Sequence, residues 1–359
     1  MSLRARLEAL IATEGPVTVA RWMELCLHDP QGGYYATRPA LGAEGDFLTA
    51  PLVSQMFGEL LGLWSAAAWT ALGRPDPVRW VELGPGDGTL IADARRACAR
   101  ALPAFVAAAG ITLVETSAHL RERQRAALGG APPRWADRLG EVEGGAPLIV
   151  LANEFLDCLP ARQFVRTPGG WAERRVGLAP EGGGFRFGLT PPPADFQPPP
   201  GLADPPEGAV AEVSPAQATL GAELGARVVR DGGVALLIDY GRAAPEVGDT
   251  LQALRRHARV DPLADPGEAD LTVHADFPAV AAAALAAGAA TALLTQSDFL
   301  QRLGIGARAE ALARARPDQA ERIGRQLHRL LAPGEMGELF KVLAIHRPGV
   351  IPPGFEEAA

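Results

Sequence analysis

The stretch VELGPGDGTL, residues 81–90, governs how the rest of the chain is read. An apolar run closes on Glu82, glycines follow at 84, 86 and 88, and GTLIADARRACARAL (88–102) then carries helical spacing. The expected local structure is strand, tight turn, helix. Glycines remove Cβ atoms and permit φ > 0, so a ligand can lie against the backbone at the helix N-terminus. That setting suits a nucleotide-like ligand at the carboxyl ends of parallel strands. The dinucleotide fingerprint is G-x-G-x-x-G with an acid about 20 residues further on. Here the third glycine comes one residue early, and the acid ending the next strand, Glu115, lies well beyond that distance. No Lys-Ser/Thr closes the loop as in a phosphate-cradling Walker sequence.

Around this loop the pattern alternates between strand and helix, as in a doubly wound sheet. Strands are expected over 78–84, 111–117, 146–155, 232–241 and 291–296, and helices over 88–102, 118–128 and 215–230. GELFKVLAIHR (337–347) reads as a final edge strand. LTVHADF (271–277) alternates as a strand with His274 and Asp276 on one face. Residues 1–75 carry helical spacing, with Thr18 and Ser54 placed as N-caps, and form a helical N-terminal addition ahead of a catalytic domain at 76–359. An insertion at about 162–212 combines short antiparallel strands with the Pro-rich loop PPPADFQPPPGLADPP (191–206), which can form neither helix nor central strand.

The net charge of −8 argues against a general nucleic-acid binder. The three cysteines, Cys26, Cys98 and Cys158, are far apart and odd in number, so a disulfide framework is not expected and a reducing compartment is. The six histidines show no metal-ligand spacing, and no metal site is expected. No secretory or transit signal is recognisable at the N-terminus, so the expected location is a bacterial-type cytoplasm. Residues 277–296 carry no charge, but the Ala/Gly-rich run divides into a helix (278–287) and a strand (290–295) rather than spanning a membrane.

An acid before G-x-G-x-G, with a second acid ending the next strand, resembles the class I S-adenosylmethionine (SAM) methyltransferase pattern. More specifically, LHDPQGGYY (27–35), GDFLTAP (45–51), SQMFGELLGLW (54–64), ELGPGDGTL (82–90), LVETS (113–117), ANEFLDCLP (152–160), EVSP (212–215), DYG (239–241), DPGEADLTVHADF (265–277), TQSDFLQRLGI (295–305) and MGELFKVL (336–343) resemble the MidA family, whose mitochondrial members are complex I assembly factors. The resemblance runs through nearly the whole chain and departs from it at RRHARVDPL (255–263). It implies an α/β class I methyltransferase fold, Rossmann-like, with a mostly parallel seven-stranded sheet, SAM as cofactor, and a protein arginine of a complex I-type subunit as target. It also implies Glu82, Gly84, Pro85, Gly86, Asp87 and Gly88 as the cofactor loop, Glu115 with Thr116 at the ribose, and Asn153 beside the cofactor. GDFLTAP becomes a lid, with Asp46, Phe47 and Thr49 closing over cofactor or substrate, and His274 with Asp276 lines the substrate cleft.

The run LIVLANEFLDCLP (148–160) ends a buried strand on Asn153, Glu154 and Asp157. Buried acids are costly unless paired. A guanidinium is always charged, and an enzyme that methylates it needs carboxylates to orient it. Glu154 is therefore expected to bind the guanidinium and Asp157 to assist; a cap on the following turn is the competing role for Asn153 and Asp157. Two rivals stand beside this reading, a NAD-type oxidoreductase and a non-catalytic SAM-binding assembly chaperone. The oligomeric state is open, a homodimer being one option.

Overall fold

The computed structural model describes residues 1–37, 49–130, 133–180, 183–202 and 204–356. The chain forms two compact units, each assembled from three segments. Leu48–Phe155, Thr219–Gly241 and Ala279–Ala359 make the unit that carries the glycine loop. Met1–Phe47, Leu156–Ala218 and Arg242–Pro278 make the other.

The loop-bearing unit is built on β1 (Val78–Leu83), β2 (Ala109–Val114), β3 (Arg134–Ala136), β4 (Leu148–Asn153), β5 (Gly233–Arg242), β6 (Ala290–Thr295) and β7 (Phe340–His346). Their spatial order is β6-β7-β5-β4-β1-β2-β3. The pairs β5–β4, β4–β1, β1–β2 and β2–β3 are parallel, whereas β7 runs antiparallel to both β5 and β6. Parallel strands covered on both faces read as unbroken apolar runs, which is why LIVLA (148–152) and GVALLIDYG (233–241) were legible and are buried throughout. The chain builds outward from β1 to β3 and then returns to place β4 on the other side of β1. The carboxyl ends of β1 and β4 therefore flank a topological switch point, where open α/β sheets bind ligands.

The 337–347 segment is corrected by this order. β7 is an inner strand, with Val342–Ile345 buried between β5 and β6, and β6 forms the edge. As an inner strand, β7 pairs its backbone N–H and C=O groups with β5 on one edge and β6 on the other, and its largely apolar sequence is that of a strand covered on both faces. The helix α1 (Gln55–Ala71) packs on α2 (Thr89–Ala101) inside this unit, where the Cys98 thiol donates to the Gly62 carbonyl at 3.0 Å. The boundary between units thus differs from a break at residue 75. Ser54 caps α1 by accepting from Met56 N at 3.2 Å.

In the other unit, Gly170–Leu178 pairs with Val17–Thr18, Arg162–Thr167 and Phe185–Thr190, and Val210–Val213 pairs with Arg162–Thr167. A three-stranded sheet joins Gln252–Arg255 to Ala258–Val260 and Asp270–Thr272. Thr18 caps the helix Val19–His28 through Arg21 N, and Trp22, Leu27, Tyr34, Val176 and Leu271 form the core. Glu212 is a buried hub: its Oε1 accepts from Gln163 Nε2 (2.8 Å) and Thr250 N (3.0 Å), and its Oε2 from Arg242 Nη2 (2.8 Å) and Thr250 Oγ1 (2.5 Å). Glu212 of the EVSP segment and Arg242 meet there as a buried ion pair.

The expected strand 271–277 is interrupted. Asp270–Thr272 and Ala275–Asp276 are separate strands, and between them Val273 N donates to Asp157 O (3.0 Å) and His274 N to Thr250 Oγ1 (2.8 Å). These two amides leave any strand ladder because fixed partners outside it claim them, so His274 does not share a strand face with Asp276.

Candidate active site

Within the loop-bearing unit the predicted cofactor residues converge at the carboxyl ends of β1, β2 and β4. The register pairs Glu82 with Leu113 on one side and Leu151 on the other, and Leu83 with Val114 and Ala152. Glu115 and Asn153 therefore follow at nearly the same level as Gly84. Gly84 has φ 60° and its N–H donates to Val114 O at 3.1 Å. A Cβ at Gly84 would lie 2.6 Å from the Phe155 ring, so this position takes only glycine and the 153–155 turn lies directly against the loop. Gly88 N donates to Pro85 O (2.8 Å), and Asp87 Oδ1 accepts from Thr89 N (3.0 Å) at the start of α2.

Glu82 is buried, and burial, followed by the charge of Asp87, raises its carboxyl to about 8. Glu115 Oε1 accepts from Ser117 N at 2.8 Å and Oε2 from Gln124 Nε2 at 3.2 Å. Burial raises the Glu115 carboxyl as well; the Ser117, Gln124 and Thr116 donors oppose the rise. Glu154 adopts φ 52°, unusual for a side chain with a Cβ. Its N–H donates to Ile238 O at 2.8 Å, and its Oε1 accepts from Ala50 N (3.1 Å) and Asn153 Nδ2 (3.0 Å). Backbone strain of this kind persists where surrounding contacts over-determine it, and it clusters at functional sites. Thr49 stands as N-cap of the short helix Ala50–Val53 without a side-chain capping bond, its carbonyl accepting from Leu52 N and Val53 N, both at 2.9 Å. The Glu154 carboxylate satisfies the first amide of that helix instead. Asp46 and Phe47 lie outside the described residues.

Asp157, His274 and Asp276 belong to the other unit. Asp157 is buried there, and Tyr35 donates to Asp270 Oδ1 at 2.9 Å. Burial, then the carboxylates of Asp270 and Asp157 among nearby groups, hold the Tyr35 phenol well above its ordinary range. Asp276 N donates to Gln217 Oε1 at 2.8 Å. Sequence reasoning overlooked Phe155, whose ring shapes the loop, and Gln124, which bridges Gly86 O and Glu115. A signal for Gln124 was present: it interrupts the apolar stripe Leu120–Gln124–Leu128 at helical spacing. Among the described residues no group of three or more His, Cys, Asp and Glu is placed to hold a metal ion, and no helix is long and apolar enough to cross a membrane.

The chemistry of the donor set tests what fits here. Two buried acceptors, Glu82 Oε2 and Asn153 Oδ1, have no hydrogen-bond partner among the described residues. They sit on the adjacent ends of β1 and β4. Orphaned acceptors beside Asp87, Glu115 and Glu154 suit a ligand rich in donors and positive charge, and they oppose a pyrophosphate. SAM, with an ammonium, two ribose hydroxyls and a sulfonium, matches.

This strand order, with an acidic glycine loop at its switch point, defines a class I SAM-dependent methyltransferase. A profile of the family described as "Putative S-adenosyl-L-methionine-dependent methyltransferase" matches residues 60–295, and the chain belongs to that family, in agreement with its MidA-like motifs. It is 35% identical to the Drosophila melanogaster protein arginine methyltransferase NDUFAF7 homolog, mitochondrial, across 98% of this chain and 86% of that protein. The human protein arginine methyltransferase NDUFAF7, mitochondrial, is 34% identical, with 93% of this chain and 81% of that protein covered. A Burkholderia thailandensis structure bound to S-adenosyl-homocysteine superposes with a TM-score of 0.81 at 29% identity, covering 99% of this chain and 93% of that one. SAM is the cofactor, and the oxidoreductase reading is set aside.

Proposed function

We propose that this enzyme methylates an arginine side chain of a protein partner, a complex I-type subunit, in a bacterial cytoplasm. The observation that carries the reading is Glu154, a carboxylate held in a left-handed backbone conformation one residue from the ring that packs on the glycine loop. The names of the relatives support arginine as target, and the three free cysteines suit a reducing compartment.

In this reading the backbone of Gly84–Gly88 and the Glu82 carboxylate receive the methionine end of the cofactor, Glu115, steadied by the Thr116 amide, holds the ribose, and Asn153 Oδ1 accepts a further donor. The cofactor supplies a methyl group made electrophilic by its sulfonium. Glu154 would accept N–H bonds from the guanidinium and orient one nitrogen; with SAM bound, transfer would exchange its S–CH3 bond for the new N–C bond, leaving S-adenosyl-homocysteine, with the proton from that nitrogen passing to water and the carboxylate stabilising the positive charge throughout. Thr49, beside the Ala50 amide that Glu154 holds, contributes to the substrate side, while the assisting role of Asp157 and the substrate roles of Asp46, Phe47, His274 and Asp276 rest on the family resemblance alone.

The test is labelling with tritiated SAM of a lysate lacking this protein, followed by amino-acid analysis of the labelled band. Radioactivity in methylarginines, lost with Glu154→Gln while S-adenosyl-homocysteine binding persists, is the expected result. Label confined to another amino acid, or full transfer by Glu154→Gln, overturns the reading.

A further inference from the structure

We propose that Gln124 is a positioning residue for the cofactor, clamping the glycine loop to the ribose acid in an orientation that Trp135 dictates. The proposal rests on the reading of Glu115 as the ribose-binding acid. Gln124 lies on α3 (Ala118–Leu128), at 0% exposure between Leu120 and Leu128 on the helix's buried stripe. A carboxamide in an apolar stripe is costly unless its polar atoms are bonded. Here both ends are. Nε2 donates to Gly86 O at 2.8 Å and to Glu115 Oε2 at 3.2 Å, and Oε1 accepts from Trp135 Nε1 at 2.8 Å.

The three bonds form a one-way chain. An indole N–H can only donate, and the Gly86 carbonyl and an ionised Glu115 can only accept. The amide therefore has one admissible orientation, oxygen toward Trp135 and nitrogen toward the site. Trp135 is itself fixed, paired with Leu113 in the β2–β3 register and covered by the Arg125 guanidinium 4.7 Å from its ring centre. The backbone of α3 also presses on the loop: a Cβ at Gly88 would be 3.1 Å from Gln124 Cα. Gln124 and Ser117 N thus bond one carboxylate oxygen of Glu115 each, fixing the carboxylate plane before ligand arrives. With the Thr116 amide also facing this carboxylate, three protein donors share its roughly four acceptor sites, so the acceptor capacity left for a ribose hydroxyl has a fixed direction. A binding group held in place beforehand loses less entropy when the ligand binds.

The experiment uses the full chain and calorimetric titration with two probes, S-adenosyl-homocysteine and its 2′-deoxy analogue. Gln124→Met keeps the volume and deletes the clamp. It is expected to weaken S-adenosyl-homocysteine about tenfold or more, and the 2′-deoxy analogue by less than about threefold, since that probe has already lost a hydroxyl facing Glu115. Trp135→Phe leaves Gln124 in place and deletes only the orienting donor; it is expected to show a smaller loss with the same selectivity, and it carries the test should Gln124→Met not fold. Unchanged affinity in both variants, or equal losses for both probes, overturns the proposal and leaves Gln124 a packing residue. Failure of the wild-type chain to bind S-adenosyl-homocysteine overturns instead the cofactor reading beneath it.

Discussion

Phe155 occupies the space that any side chain at Gly84 would need: its Cδ2 is 2.6 Å from the position of a Cβ there, and Gly84 has φ 60°. The turn that follows β4 and the loop that follows β1 are therefore one packed object, and each constrains the other.

Gly84→Ala meets both penalties, a clash with the Phe155 ring and a left-handed backbone that alanine resists. We expect a loss of about 2–4 kcal/mol in stability and at least about a tenfold loss in S-adenosyl-homocysteine affinity. Urea denaturation and calorimetric titration measure the two. A variant of wild-type stability and affinity would refute the packing relationship.

Glu82 predicts a specific pH dependence. Its carboxyl titrates at about 8 in the folded chain, above the ordinary value of 4.5. The folded state then holds a proton that the unfolded state has released, so the contribution to stability is present below pH 4.5 and is lost as pH rises toward 8. Glu82→Gln removes this slope and is expected to be more stable than wild type at pH 8, by about 1–3 kcal/mol. A cationic ligand favours the ionised acid, so cofactor binding near pH 7 should release a proton. Titration in two buffers of different ionisation enthalpy detects it; no buffer dependence in wild type argues against Glu82 facing the ligand.

Glu154 serves structure and, in our reading, chemistry, and two substitutions separate them. Glu154→Ala leaves the Ala50 amide, fully buried, without its carboxylate acceptor. A cost of about 1–3 kcal/mol is expected in thermal or urea unfolding. Glu154→Gln retains an amide oxygen for that bond, so stability should stay within about 1 kcal/mol of wild type while methyl transfer falls by at least about 100-fold.

Glu212 and Arg242, each 3% exposed at the side chain, form a 2.8 Å ion pair inside the other unit. Glu212→Ala leaves a buried guanidinium without its carboxylate and should cost about 3–5 kcal/mol. Hydrogen exchange is expected to accelerate at residues 163, 211–213 and 250, which surround the pair. Exchange that stays at wild-type rates there would show the network to be dispensable.

What the amino-acid sequence determined was local or periodic. The glycine loop follows from residues 82–88 alone, the buried strands from apolar runs at 148–152 and 233–241, and the caps from Thr18 and Ser54. The acids Glu82, Glu115 and Glu154 were visible because carboxylates ending apolar strands demand partners. Tertiary structure alone decided what depends on pairing between distant segments. β7 sits between β5 and β6 because both of its backbone edges find strand partners there; His274 leaves its strand because Thr250 Oγ1 claims its amide; and α1 joins the loop-bearing unit because its face fits α2. The left-handed turn at Glu154 and the orientation of Gln124 belong to the same class. Each is set by hydrogen bonds to Ile238, Ala50, Gly86 or Trp135, residues 38 to 104 positions away for Ala50 and Gly86 and supplied only once the sheet has assembled.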